Sequence, residues 1–514
     1  MRLCAAFVLA FGIAAAPALA EPDTLRIRLK ADIRSLDPGV NRDANTDAVQ
    51  AHLFEGLVAF RENASVGPLL AKSYEISSDG LTYVFTLRDD LRFSNGEPVS
   101  ADDVLFSWQR YTNPATGWRC LAEVDGRGSI KVVNVVAPDD RTVAFTLDKP
   151  SAVFLATLAR PDCGGTGIFH RSSLGPDGQW RDPVTTGPFK LGSWKRGQSI
   201  ELLRNENYTA LPGGRDGLTG DKTAQVAKAQ FIVIPDEATT KAALITGGID
   251  VNFDIDNTSL AEYRAAPNLR LDSVPLMNTN AFLFQTKDPL LADPRIRRAF
   301  LLSLDMEELV NAATEGQARP NNSPIPSPSA YHGPLQSEVS KRDLPQAKRL
   351  LAEAGYKGQP IKMIANKAYT AMYNDAIIAQ AMAREAGINI ELEILDWGAQ
   401  QDRYLSGDYQ MMSYGYSARL DPSLSFEMFT GPKEKQPRKI WENPEALALL
   451  DKSMAVSEPG KRQLLLDEME RLYRADVPMI VVYSEVRTSA VRTNVTGFRG
   501  WALGHPRAWG VSVK

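Results

Sequence analysis

Histidine and cysteine are scarce in this chain, and catalytic motifs are absent. Its 514 residues contain four histidines and three cysteines. His52, His170, His332 and His505 are far apart in sequence, and none pairs with another at metal-ligand spacing. There is no G-x-S-x-G nucleophile elbow, no H-E-x-x-H zinc helix, no Walker loop and no C-x-x-C. "GLTGDKT" comes near a phosphate loop but puts Asp221 where the motif needs glycine before lysine, so it reads as a solvated turn. The acidic pairs Asp89-Asp90 and Asp139-Asp140 sit beside strand ends and read as turns. A secreted hydrolase using an unrecognised site stays the rival reading. The expectation is a protein that is not an enzyme and needs no cofactor or metal.

Charge of one sign is also lacking. Lys and Arg number 58 against 62 Asp and Glu, and no long basic run occurs, which argues against nucleic acid as a partner. After residue 20 no apolar run is long enough to span a bilayer. The start, "MRLCAAFVLAFGIAAAPALA", has one arginine, an apolar stretch and the small-x-small pattern Ala18-Leu19-Ala20, which predicts a signal peptide at 1–20 cleaved after Ala20. The alternative is an uncleaved membrane anchor. Export makes the mature protein periplasmic. Cys4 leaves with the leader, and no cysteine follows the cleavage site to take a lipid. Cys120 and Cys163 remain, either as one disulfide or as two buried thiols.

What is present is an ordinary globular composition, 44% hydrophobic and 23% charged, enough for two or three domains. "LRIRLKA" from Leu25 alternates apolar and basic residues as a strand, and "AVQAHLFEGLVAF" spaces Val49, Leu53, Leu57 and Val58 as a helix. Leu81, Tyr83, Phe85 and Leu87 alternate with Thr82, Val84, Thr86 and Arg88 as a half-buried strand. An Asn95-Gly96 turn follows. Ser100 with Asp103 then forms a capping box for a helix burying Val104, Leu105, Trp108 and Tyr111. "RPDCGGTGIF" and "DPVTTGPFKLGSW" read as loops. "AQFIVIPD" and "ATTKAALITGGIDVNFDID" read as strand, helix and strand, a βαβ unit with a parallel pair. The second half alternates again: "AFLFQT", "DPRIRRAFLLSLDMEELV", "LPQAKRLLAEAGY", "IKMIAN", a helix from Tyr373 to Ala386, "INIELEIL" and "QQDRYLSGDYQMMSYGY". Two α/β lobes follow from that alternation.

Gly67 to Arg110, "GPLLAKSYEISSDGLTYVFTLRDDLRFSNGEPVSADDVLFSWQR", resembles the signature region of the extracellular solute-binding proteins of ABC importers, family 5, the dipeptide, oligopeptide and nickel class. The resemblance extends through "TGPFKLGSW", "NENY", "DPRIRRAFLLSLDMEELV", "AKRLLAEAGY" and the strand running into Asp421-Pro422. It implies a bilobal periplasmic binding protein fold with a two-strand hinge. Lobe I would comprise 21–59, 185–275 and 483–514, with an extra subdomain inserted at 60–184, and lobe II 276–482. It also implies a monomer that captures a peptide-like small solute and delivers it to a permease with its ATPase subunits. An opine, a sugar conjugate or a metal chelate is the alternative cargo.

The stretch "YGYSARLDPSLSF", Tyr414 to Phe426, carries the candidate site. In peptide-binding members of the family an aspartate shortly before the turn typically pairs with the ligand's ammonium. Here the nearest match is Arg419. A guanidinium repels an ammonium and prefers carboxylate or phosphate, so the expected ligand carries an acidic or polyhydroxylated group. Alternatively, Arg419 pairs internally with Asp421 or another carboxylate. Tyr414, Tyr416 and Trp397 are candidate pocket walls. Ser417, Asp421, Asn41 and Asn280 complete the ligand-binding set.

Overall fold

A computed structural model describes residues 23–41, 43–256 and 259–514. The signal segment, its cleavage site and Cys4 lie outside the described residues.

One ten-stranded sheet runs through the molecule. From one edge its order is Ile390–Ile394, Ile361–Ala365, Met411–Tyr416, Leu269–Phe284, Met479–Arg492, Val251–Asn252, Thr24–Leu29, Lys228–Val233, Ser199–Arg204 and Phe189–Lys195. The two long strands at its centre, Leu269–Phe284 and Met479–Arg492, are antiparallel and serve both halves. Their register runs from Leu269 opposite Arg492 to Pro275 opposite Val486, breaks, and resumes at Thr279 opposite Ser484. A ladder interrupted there bends more easily than a continuous one. The fold is therefore bilobal, with two strands crossing between the lobes.

On the first lobe's side, Leu25, Ile27 and Leu29 of the strand Thr24–Leu29 are fully buried. The opposite face, expected to be basic, is covered as well: Arg26 meets Asp250 at 3.4 Å and Arg28 meets Glu237 at 3.4 Å. A strand buried on both faces takes a central place. Accordingly Lys228–Val233 and Val251–Asn252 are each parallel to Thr24–Leu29, which lies between them; they are not neighbours. The helix Glu237–Thr246 connects them, capped by Asp236, whose side chain accepts from Thr239 N.

The helix Ala44–Leu53 is capped by Asp43 and stops before Leu57 and Val58, which the periodicity had placed on it. Gly56 forces the exit: a Cβ there would come within 2.2 Å of the Gly165 carbonyl. Val58–Phe60 is instead a short strand. Within 60–184, the strands Ala71–Ile76, Thr82–Leu87, Thr142–Leu147 and Val132–Asp139 form a separate four-stranded antiparallel sheet. The capping box forms as expected, with Ser100 N donating to Asp103 Oδ2 at 2.9 Å, and starts the helix Ala101–Thr112. The hydrophobic core of this sheet is continuous with that of the first lobe.

In the second lobe, alternation along Leu269–Phe284 sends Phe282 and Phe284 into one core and Ala281 and Leu283 into another, so helices cover both faces. Cys120 and Cys163 are bridged, with their Cα atoms 5.6 Å apart, which decides between bond and thiols. Among the described residues no helix is long and apolar enough to cross a membrane.

Candidate functional site

The strand Met411–Tyr416 pairs antiparallel with Leu269–Phe284, setting Tyr414 opposite Ala281, Gly415 opposite Asn280 and Tyr416 opposite Thr279. Side chains alternate along it, so Tyr414 and Tyr416 share one face and Ser413 and Gly415 the other. The tyrosine face meets the helix Trp397–Ser406, which Asp396 caps. Tyr404 stacks on Tyr414 with ring centroids 4.4 Å apart and an interplanar angle of 18°, and Trp397 stacks on the same ring at 6.0 Å. Tyr414 Oη accepts from Gln401 Nε2 at 3.0 Å, and burial pushes its hydroxyl up to about 12. Tyr414 and Tyr416 are thus mainly core, 7% and 5% exposed. Half-buried Trp397, touching exposed Tyr369 at 4.6 Å, is the part of the stack that reaches outward.

The other face of the strand borders the crossover. Asn280 is buried, and its Nδ2 donates to Asp375 Oδ2 at 3.0 Å and to Tyr483 Oη at 2.8 Å. Tyr483 Oη also donates to Asp375 Oδ2 at 3.3 Å. The network ties one residue from each crossing strand to the helix Thr370–Ala386. Burial raises the Asp375 carboxyl to about 7. Burial also raises Glu485, which lies at the register break, against the pull of Arg487. A Cβ on Gly415 would fall 2.6 Å from the Met372 methyl and 3.3 Å from Asn280 Oδ1, so a larger residue there would have to displace the Met372 side chain.

Beyond Tyr416 the chain leaves the sheet. Arg419 Nη1 donates to the Ser417 carbonyl at 3.3 Å, to Ser417 Oγ at 3.1 Å and to the Ala418 carbonyl at 3.1 Å. Its Nε and Nη2 bond nothing among the described residues, and it makes no ion pair with any of them. Burial, and after it the Arg160 guanidinium, hold Arg419 below the ordinary arginine value. Asp421 does not partner it, contrary to the internal pairing considered from sequence. Asp421 caps the helix Pro422–Glu427 by accepting from Ser423 N, and that role turns its carboxylate inward onto Arg462. Arg462 Nη1 donates to Asp421 Oδ2 at 2.7 Å and Nη2 to Oδ1. Both Asp421 oxygens are therefore engaged inside the lobe.

Asn41 lies in the loop before Asp43, half-buried. That loop lies against the bridge: Arg119 Nε donates to the Val40 carbonyl at 3.0 Å, and a Cβ on Gly39 would meet the Cys163 carbonyl. Ser417 is exposed beside Arg419. Asp375, which the network above ties to both crossing strands, was missed from sequence, where its helix read only as a covering element. Among the described residues, the group of candidate metal ligands is Cys120, Asp162 and Cys163. Both sulfurs are spent in the disulfide, leaving one carboxylate.

The sequence pattern of the bacterial extracellular solute-binding proteins, family 5, middle region, matches residues 65–437, more than half of the chain. The chain belongs to this family. This solute-binding protein is 26% identical over 501 residues to the oligopeptide-binding protein OppA of Bacillus subtilis (strain 168), covering 92% of this chain and 90% of that relative. It is 25% identical over 504 residues to the probable deoxycholate-binding periplasmic protein YgiS of Escherichia coli (strain K12), covering 93% and 91%. The solved structure of HbpA2 from Haemophilus parasuis superposes with a TM-score of 0.83 at 24% identity, covering 96% of this chain and 100% of that one. Capture of a small solute between the lobes, for an ABC importer, is the function of this solute-binding protein.

Proposed function

We propose that the protein holds a peptide-like or opine-like solute by an acidic group at Arg419, in the periplasm, and passes it unchanged to the permease. The observation that carries this reading is the Arg419 guanidinium: its Nη1 is tied to its own loop, while Nε and Nη2, the edge that grips a carboxylate through two parallel bonds, bond nothing among the described residues. A fixed positive charge half-removed from water gains most from an anion that replaces the lost solvation. The same charge disfavours a ligand presenting an ammonium at that point. Relatives named for oligopeptide and for deoxycholate, the latter a carboxylate that is not a peptide, support an acid-bearing cargo over a fixed peptide backbone. Ligand that touches both lobes only when they meet favours the closed arrangement, by bending at the break between Pro275 and Thr279.

Mass spectrometry of the small molecule that copurifies with natively prepared protein tests the reading first. Thermal shift with that molecule tests the residue: Arg419→Ala should abolish the shift and leave the empty protein's melting point nearly unchanged. A copurifying dipeptide with its amino terminus at residue 419, or a ligand returned chemically altered, overturns it.

A further inference from the structure

The proline-rich segment 320–334, "PNNSPIPSPSAYHGP", plays no part in the site above. Each of its prolines fixes its own φ, which leaves the segment little freedom of course. The strand Met479–Arg492 anchors it: Asn321 N donates to the Val482 carbonyl at 3.0 Å, Asn322 Nδ2 to the Val481 carbonyl at 2.8 Å and Ser327 N to Ser484 Oγ at 3.0 Å. Tyr331 packs on the second lobe's core, with the Arg462 guanidinium 5.4 Å from its ring centre. Ala330, just before it, turns its N–H to the first lobe and donates to the Asn63 carbonyl at 2.8 Å. Asn63 is itself held in the turn between the strands Val58–Phe60 and Val66–Pro68, where its Oδ1 accepts from Ser65 N at 3.1 Å and from Ser65 Oγ at 2.7 Å.

A second contact joins the lobes elsewhere. Ala152 N donates to the Met454 carbonyl at 2.6 Å. Met454 lies in the last turn of the helix Pro444–Ala455, where carbonyls have no partner within the helix, and it packs on the second lobe's core. Ala152 precedes Val153 and Phe154, both in the first lobe's core. Buried Tyr83 donates from Oη to the Ser151 carbonyl at 2.6 Å. That carbonyl and the Ala152 N–H belong to one planar trans peptide and point opposite ways, so the tyrosine aims the N–H at Met454. In both contacts donor and acceptor are therefore positioned beforehand, and little freedom remains to be lost when they meet.

We infer that these two contacts form a latch between the lobes, with the segment 320–334 as its strap, and that the latch populates the closed arrangement before a solute enters. Each N–H meets its carbonyl directly, so neither contact passes through a captured solute. The latch holds whatever the chemistry of the cargo and does not depend on the reading of Arg419. Its strength is modest, because parting the lobes returns all four groups to water. Two such bonds favour closure without fixing it, and a solute that touches both lobes then raises a population that already exists.

The test is the distribution of distances between two nitroxide labels, read by pulsed electron resonance on the mature protein stripped of its copurifying solute. The labels go on Val133→Cys in the first lobe and Leu464→Cys in the second, positions 51% and 69% exposed. The solute-loaded sample marks the closed distance. The stripped sample should show that distance as a distinct fraction beside a more open one. Ala330→Pro and Ala152→Pro, which each delete one N–H, should lower the closed-to-open ratio at least about threefold, the loss expected for one weak hydrogen bond. Ala330→Gly and Ala152→Gly keep the donors and should hold the ratio within twofold. Should a proline variant fold poorly, Tyr83→Phe removes only the bond that aims the Ala152 peptide, and the ratio should fall in the same direction. A stripped sample with no closed fraction, or a ratio that the proline variants and Tyr83→Phe leave unchanged, overturns the latch. Either result leaves the function proposed above standing.

Discussion

Asp421 and Arg462 face each other as a closed fork, 41 residues apart in sequence and both almost fully buried, with Arg462 also donating to Ser423 Oγ at 2.7 Å. Removing one partner of such a pair strands the other charge in a low dielectric. Asp421→Asn should cost about 3–5 kcal/mol of folding stability, read from urea denaturation. Arg419→Ala, two residues away, should cost under about 1 kcal/mol, as partly exposed residues without a buried partner usually do. Equal losses for the two variants would mean that Arg419 is a structural cation after all.

The Cys120–Cys163 bridge closes a loop with a sequence separation of 43. Loop-closure entropy for that length is about 4 kcal/mol at 25 °C. The Cys120→Ala, Cys163→Ala double variant should lose between about 2 and 4 kcal/mol in guanidinium denaturation. An unchanged midpoint would show that the bridge adds nothing to the stability of the folded state.

Asp375 gives the crossover a pH dependence whose sign is fixed. Its folded-state value is raised to about 7, against about 3.9 in an unfolded chain. Between those values the native state keeps a proton that the unfolded state has lost. The contribution to stability is therefore fully present below about pH 4 and is lost as pH rises through about 7, at about 1.4 kcal/mol per pH unit. Glu470, raised to about 7 mainly by burial, acts in the same direction. His52 and His505, lowered by burial to about 3 and about 4, act oppositely: what they contribute is present above about pH 6.5 and is lost as pH falls toward their folded values. These slopes offset one another in the whole protein, so the informative quantity is the melting-temperature difference between wild type and Asp375→Asn. That difference should move against the wild type from about pH 4 to about pH 7. A flat difference would show that Asp375 is ionised throughout.

Much of the frame was legible because local periodicity sets it. The alternation through Tyr83, Phe85 and Leu87, the Ser100–Asp103 box and the strand ending at Tyr416 all depend on neighbours within a few residues, and all formed. Leu57 and Val58 left the helix because Gly56 must pass close to Gly165, a contact more than a hundred residues distant that no window of sequence contains. The basic face of Thr24–Leu29 was hidden by Asp250 and Glu237 for the same reason. At the site, the sequence pointed to Arg419 as an anomaly but could not rank its possible partners. Asp421, two residues on, looked available until the helix it caps turned it toward Arg462. Asp375 went unnoticed because a helix aspartate acquires meaning only from groups that the fold brings to it.

The most direct test of ligand-driven closure is small-angle scattering on the mature protein, stripped of its copurifying solute and then reloaded with it. Clamping of the two lobes predicts a smaller radius of gyration and a shorter maximum dimension in the loaded sample, reversed on stripping, with the solute recovered intact. Superimposable curves for empty and loaded protein, or a solute recovered in altered form, would contradict it.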